Sequence, residues 1–207
     1  MRKQTRPTTP ELMREHSERW SREWAELREQ NPSANFQWRK VEGQSIRELL
    51  LPLLKEMTQE HCAFCDYFRF DTVSSETVEH FKPKSRPEFH NQAYAWENLY
   101  YCCGRCQSAK GEKWDDRLLR PDDPEYLFES YFQRDYTTGE IHPNAVACAE
   151  IQARAQATIE LYGLNRSALS RDRKTKLREW QRLNARHEHE LNNWSFRDFL
   201  ECDDAKE

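Results

Sequence analysis

Apolar residues recur at helical spacing near both ends of the chain and lose that rhythm in the middle. Met13, Trp20, Trp24 and Leu27 fall on one face and predict a first helix. Thr9 stands where a cap belongs, Pro10 at the first helical position, and Asn31-Pro32 ends the pattern. A polar connector follows, with Phe36 and Trp38 as packing anchors. Ser45 and Glu48 have the spacing of a capping box. Ile46, Leu49, Leu50, Leu53 and Met57 then line a second helix that Pro52 should kink or restart.

From His61 to Trp114 the helical period fades, and aromatics and cysteines crowd together, as in a compact metal-stabilised module. Beyond it, aromatic flanks around Thr137-Thr138-Gly139 predict a hairpin. Ile151, Ala155, Ile159 and Tyr162 share one helical face, and Gly163 suits its C-cap. A long helix is expected to run on through Leu169, Leu177, Trp180, Leu183, Leu191 and Trp194. Its basic first half, Arg166 to Arg186, reads as a solvated face. The predicted organisation is a mainly helical α+β chain: an N-terminal helical region (1–58), the cysteine-bearing module (59–116), and a hairpin with C-terminal helices (117–207).

Charged residues make up 33% of the 207 and the net charge is only -4, so a domain-wide basic excess is absent and any nucleic-acid contact must be local. Mean hydropathy is -1.09, yet seven Trp and 12% aromatics argue against disorder. No apolar stretch approaches a membrane span. The expected address is the cytosol, where clustered cysteines read as metal ligands and not as disulfides.

Two C-x-x-C knuckles, Cys62/Cys65 and Cys103/Cys106, supply four thiolates at the spacing of a structural zinc site. Cys102 has the wrong knuckle spacing, and Cys148 and Cys202 read as ordinary buried thiols. His61 reads as an exposed neighbour of the first knuckle. Between the knuckles lies Glu79-His80. Phosphodiester hydrolysis needs a base near neutral pH and a cation on the phosphate; histidine serves the first need and an adjacent carboxylate can hold the second. Lys82, Lys84, Arg86, Lys110 and Lys113 are candidates for phosphate contacts that read no sequence. Taken alone, Glu79-His80 is an ordinary surface pair; its place between the knuckles, with Trp96-Glu97-Asn98-Leu99 leading into the second, gives it weight.

The order "CAFC", "VEHFKPKS", "YAWENLYYCCGRCQSAKGEKW" resembles the zinc-containing HNH endonucleases, closely from His61 to Trp114. With "ATIELYGLNRSAL" further on, the chain resembles the HNH proteins found with retrons and in Septu-type phage defence (the PtuB-like group). The resemblance implies a ββα-metal core, also called a His-Me finger. His80 is then the general base, Glu79 a ligand of a catalytic Mg²⁺ or Mn²⁺, and Asn98 the residue that fixes the loop aiming His80. The third position falls on Gln107, where the family carries His or Asn. The resemblance further implies a nuclease effector working with an ATPase partner, in a retron or Septu complex. The chain has no G-x-x-x-x-G-K-[ST] pattern, so that ATPase would be another chain. The rival reading is a non-catalytic zinc-ribbon adaptor for nucleic acid or protein. DNA and RNA are equally open as substrates.

Overall fold

The computed structural model describes residues 1–72, 74–184 and 190–201. Helix α1 spans Glu11–Gln30 and buries Met13, Trp20, Ser21 and Trp24, while Leu27 stays 44% exposed. Pro10 is the N-cap, and the Thr9 hydroxyl turns to Glu97 (3.4 Å), so it does not cap the helix. A short hairpin pairs β1 (Lys40–Val41) with β2 (Gln44–Ser45) and leads into α2 (Ile46–Thr58). The Ser45–Glu48 capping box does not form: Ser45 is held in the hairpin opposite Lys40, and its side chain makes no cap bond. Helix α2 continues through Pro52 and buries Ile46, Leu50, Leu54 and Thr58, a face turned away from the expected Leu49.

Next come β3 (Glu76–His80) and its antiparallel partner β4 (Leu99–Cys103), with helix α3 (Gly104–Lys110) following at once. The connection from β3 to β4 carries two 3-10 turns, Pro87–Gln92 and Trp96–Asn98. The expected hairpin is present after the one-turn α4 (Phe128–Tyr131), as β5 (Phe132–Asp135) paired with β6 (Glu140–Pro143). Helices α5 (Ala149–Tyr162), α6 (Ser167–Asn184) and the short α7 (Arg197–Leu200) complete the described chain. The helix predicted to reach Trp194 does not do so: Leu191–Asn193 is a separate 3-10 turn. Arg186, His187, His189 and Cys202 lie outside the described residues.

Aromatic side chains carry the core; Trp96, Tyr94, Tyr100, Tyr126, Tyr162, Phe64 and Phe70 are among the largest fully buried. Residues from all three sequence regions join it. The N-terminal strap is bonded across it, Gln4 Nε2 donating to the Ala63 carbonyl (3.1 Å) and Arg6 to those of Trp96 and Leu99. The "LYGLN" stretch is a docking element. Tyr162 stacks on Phe64 at 3.7 Å between centroids, Gly163 ends α5 with φ +58, and the Asn165 amide bonds both backbone groups of Ile141. A buried ion pair ties α7 to the first knuckle: Arg197 Nη2 meets Asp66 Oδ1 at 2.7 Å, and the Arg197 amide donates to Asp66 Oδ2. Two thiol and imidazole expectations are corrected. Cys148 is exposed. His61 is fully buried, bridging the carbonyls of Gln59 and Trp194 and stacked on Phe68.

The β5–β6 turn sits on α6. At Gly139, φ is +79 and a Cβ would lie 2.1 Å from the Ser170 carbonyl oxygen; at Gly43, φ is +85 and the surroundings are open. Gly43→Ala should therefore cost only left-handed backbone strain, about 1–2 kcal/mol. Gly139→Ala should cost clearly more, measured by urea unfolding; equal losses would show that the turn moves freely off α6.

Candidate active site

The two knuckles meet because the first is pinned to β4, the Ala63 amide donating to the Tyr101 carbonyl (2.9 Å), while the second straddles the β4–α3 junction. The Sγ atoms of Cys62, Cys65, Cys103 and Cys106 lie within 4.8 Å of one another, and all four residues are buried. Backbone amides donate to the sulfurs, Cys103 to Cys62 (3.4 Å) and Cys106 to Cys103 (3.5 Å). Cys65 and Cys103 sulfurs are 3.8 Å apart, and none of the four forms a disulfide. A metal–sulfur bond of about 2.3 Å in a tetrahedron sets sulfurs about 3.8 Å apart, so the cluster could hold one tetrahedral ion. Cys102 stands beside the cluster without joining the group of four, its thiol bonded to the Cys103 carbonyl and close to the sulfurs of Cys62 and Cys106. Arg166 Nη1 reaches the Cys106 sulfur at 3.7 Å. Arg173 is buried near the same cluster, burial pushing its guanidinium down to about 10 while the Cys65 thiolate opposes the shift. This part of the basic stretch is therefore interior and not a solvated face.

At the far end of the β3–β4 pair, Val78 and Phe81 are the inward anchors around Glu79 and His80. Glu79 is 4% exposed and Lys110 is 0% exposed. Lys110 Nζ meets Glu79 Oε1 at 2.7 Å and donates to the His80 carbonyl at 2.9 Å. The expectation that Lys110 touches phosphate is thus corrected: it is an interior latch from α3 to β3. One turn before it, the half-buried Gln107 donates from Nε2 to the Val78 carbonyl (3.2 Å). Burial raises the Glu79 carboxyl, and the Lys110 charge acts against that shift.

His80 is 5% exposed. Its Nε2 lies 2.9 Å from the Ala93 carbonyl oxygen. A carbonyl only accepts, so Nε2 carries the proton and Nδ1 is bare. Burial, then the nearby Lys84 charge, drives the imidazole well below the ordinary histidine value, so the ring is neutral at pH 7. Asn98 closes the loop behind it. Its Oδ1 accepts from the Lys82 amide (2.7 Å), and its Nδ2 donates to the carbonyls of Lys82 and Gln92 (3.0 Å each). Glu79 thus faces α3 with Gln107 and Lys110, while His80 and Asn98 bond to the β3–β4 connection, which carries the half-buried Lys82, Lys84 and Arg86; Lys113 is exposed beyond α3. Arg86 is paired with Glu88 at 2.9 Å.

Sequence reasoning placed Phe36 and Trp38 only as packing anchors, yet both rings contact His80. Their sole sequence signal was two large aromatics in a polar connector. Among the described residues, the four cysteines form the one group of three or more His, Cys, Asp or Glu side chains able to share a metal. An ion at Glu79 would have one protein carboxylate, already bonded to Lys110, and the Gln107 amide. Few protein ligands, completed by water and substrate phosphate, suit Mg²⁺.

The β3–β4 pair closed by α3 thus carries a buried four-thiol cluster at one end and the buried Glu79 and His80 at the other. No family model matches the chain. The chain is similar to the "Retron Vc95 putative HNH endonuclease" of Vibrio cholerae serotype O1 biovar El Tor, at 28% identity over 138 residues. The match covers 65% of this chain and 66% of that protein, just under two thirds of its length. The likeness supports an HNH endonuclease family and links the chain to one protein of retron origin.

Lys110→Met would leave the Glu79 carboxylate buried without its partner. Denaturant unfolding should show a loss of about 3–5 kcal/mol. Glu79→Gln added to it should recover much of that loss; no recovery would mean that Lys110 matters through packing alone.

Proposed function

We propose that the chain is a metal-dependent HNH endonuclease that hydrolyses nucleic-acid phosphodiester bonds, with His80 as general base. The observation that carries this reading is the state of the imidazole: neutral, with Nε2–H held on the Ala93 carbonyl and bare Nδ1 left to take a proton from water. The Ala93 carbonyl also stabilises the imidazolium that results. Asn98 fixes the backbone from Phe81 to Lys82 and so fixes where the ring stands. Glu79 and Gln107 are the residues that would hold a catalytic Mg²⁺ or Mn²⁺, which when bound would offset charge on the phosphate. Lys82, Lys84, Arg86 and Lys113 bind flanking phosphates.

The four cysteines hold a structural Zn²⁺. The likeness to the retron protein, and the motif order shared with Septu-type nucleases, support an anti-phage effector that acts in the bacterial cytosol with a separate ATPase subunit. Among the described residues, no helix is long and apolar enough to cross a membrane. One observation favours the adaptor reading instead: a base that is 5% exposed is more covered than a working base needs to be.

Two experiments test the proposal. His80→Ala should stay folded and zinc-loaded, and should lose about 10²-fold or more of the cleavage of plasmid DNA or total RNA with Mg²⁺ or Mn²⁺. Cleavage at the parent rate would remove His80 as the base, and the adaptor reading requires the parent's function to survive this change. The purified chain should also carry one zinc, released more readily as pH falls because the thiolates must be deprotonated to bind. Cys106→Ser should lose both the metal and the cooperative urea transition; a zinc-free parent of unchanged stability would rule out the structural role.

A further inference from the structure

His80 sits under aromatic rings from a segment more than forty positions earlier in the sequence. Trp38 stacks on the imidazole, with centroids 5.4 Å and planes 24° apart, and Phe36 meets the same ring edge-on at 5.1 Å. Phe36 is enclosed: the rings of Trp24, Trp38 and Tyr94 and the ammonium of Lys84 all lie within 5.4 Å of its centre. Trp38 is not. One indole face covers His80 and the ring meets Phe36 and Tyr94 at steep angles. Among the described residues, no ring or cation covers the opposite face. Its Nε1–H has no protein acceptor and is not among the buried unpaired atoms, so it faces water. Lys84 stands beside this half-buried indole, its ammonium on the neighbouring Phe36 ring and its charge acting on His80, and it is in no ion pair among the described residues.

We propose that Trp38 is a nucleobase-stacking residue and that the substrate is an unpaired strand. One base lies on the indole face turned away from His80, and an adjoining phosphate lies on Lys84. This rests on the nuclease reading of His80. The chemistry is specific. Bases within a duplex have both faces covered by their neighbours, so only an unpaired or end nucleotide offers a face to an indole. A flexible strand can also bend a phosphate towards a ring that is 5% exposed, where a stiff duplex cannot. Stacking with cations alongside is the usual way proteins hold single strands.

The test is fluorescence-anisotropy binding with the zinc-loaded full chain carrying His80→Gln, which removes the base but keeps bulk beneath Trp38. The probes are labelled single-stranded DNA, single-stranded RNA and a duplex of the same sequence. Single strands should bind more tightly than the duplex, and the stronger of the two identifies the natural sugar. Trp38→Ala should weaken single-strand binding roughly 5- to 150-fold and leave duplex binding unchanged. Trp38→Phe should retain most of it. Trp38→Leu, which still packs on His80 but offers no π face, should bind as weakly as Trp38→Ala; it keeps the test sound if the alanine variant unfolds. A leucine variant that binds single strands as tightly as the parent, or a parent that prefers the duplex, overturns the proposal. If the chain with His80 intact binds single strands through Trp38 but never cuts, the nuclease reading fails and the stacking site stands.

Discussion

In the β3–β4 pair, Glu76 lies opposite Cys103 and His80 opposite Leu99. That register sets both ends of the candidate site. Four strand steps at about 3.4 Å each hold the two ends about 14 Å apart on one paired stretch of backbone. All five β4 residues are buried, so the strand has no slack with which to shift. A slip by one residue would exchange the faces of Glu79 and His80, taking the carboxylate off Lys110 and the imidazole off Ala93. The cluster prevents the slip from one side, through the Ala63 and Cys103 amides; Lys110 prevents it from the other. A cysteine cluster that looks remote from Glu79 and His80 therefore fixes where they stand.

The chain is very hydrophilic, and its interior reflects that. Aromatic rings fill much of the core, and two oppositely charged pairs are buried: Lys110 with Glu79, and Arg197 with Asp66. Such pairs add little net stability over apolar side chains of the same size, but losing one partner is costly because a bare charge stays behind. They also specify geometry. Arg197 makes bonds in defined directions to Asp66, and Lys110 shares its protons between Glu79 and a backbone carbonyl. A leucine in either place would fill the space without fixing the angle of α7 or the end of β3.

Local signals were readable before the structure. Helical periodicity located α1, α2, α5 and α6, turn residues located the β5–β6 hairpin, and the C-x-x-C spacing selected four cysteines that do converge while leaving Cys102 aside. Glu79, His80, Asn98 and Gln107 were named from motif order; in the fold Glu79 faces α3, which carries Lys110 and Gln107, while His80 and Asn98 bond to the β3–β4 connection. What escaped depended on contacts between distant segments. Lys110 looks like a surface lysine until α3 folds its tail under β3. Phe36 and Trp38 look like anchors until α1 swings them over His80. The capping signals at Thr9 and Ser45 failed for a related reason: a tertiary bond to Glu97 and a two-residue hairpin claimed those residues first. A helix through Trp194 was the simplest continuation of an apolar stripe, but Trp194 instead turns back edge-on to Trp180, 5.5 Å away.

The charge around the cysteines closes the argument about how the C-terminal helices belong to the site. Four thiolates around one divalent ion would leave two negative charges, and Arg166 and Arg173 bring two positive ones. Neither arginine has a carboxylate partner in an ion pair among the described residues, and Arg173 is 4% exposed. Its bonds go to the Gly139 carbonyl and to Asn165, which supply dipoles but no counter-charge. A guanidinium that deep needs negative charge nearby, and a loaded cluster would supply it. With the thiols protonated that charge disappears, while the cost of burying Arg173 remains. The charge of a loaded cluster would thus help to dock helix α6, and the four cysteines that pin the β3–β4 register would also hold the helix that covers them.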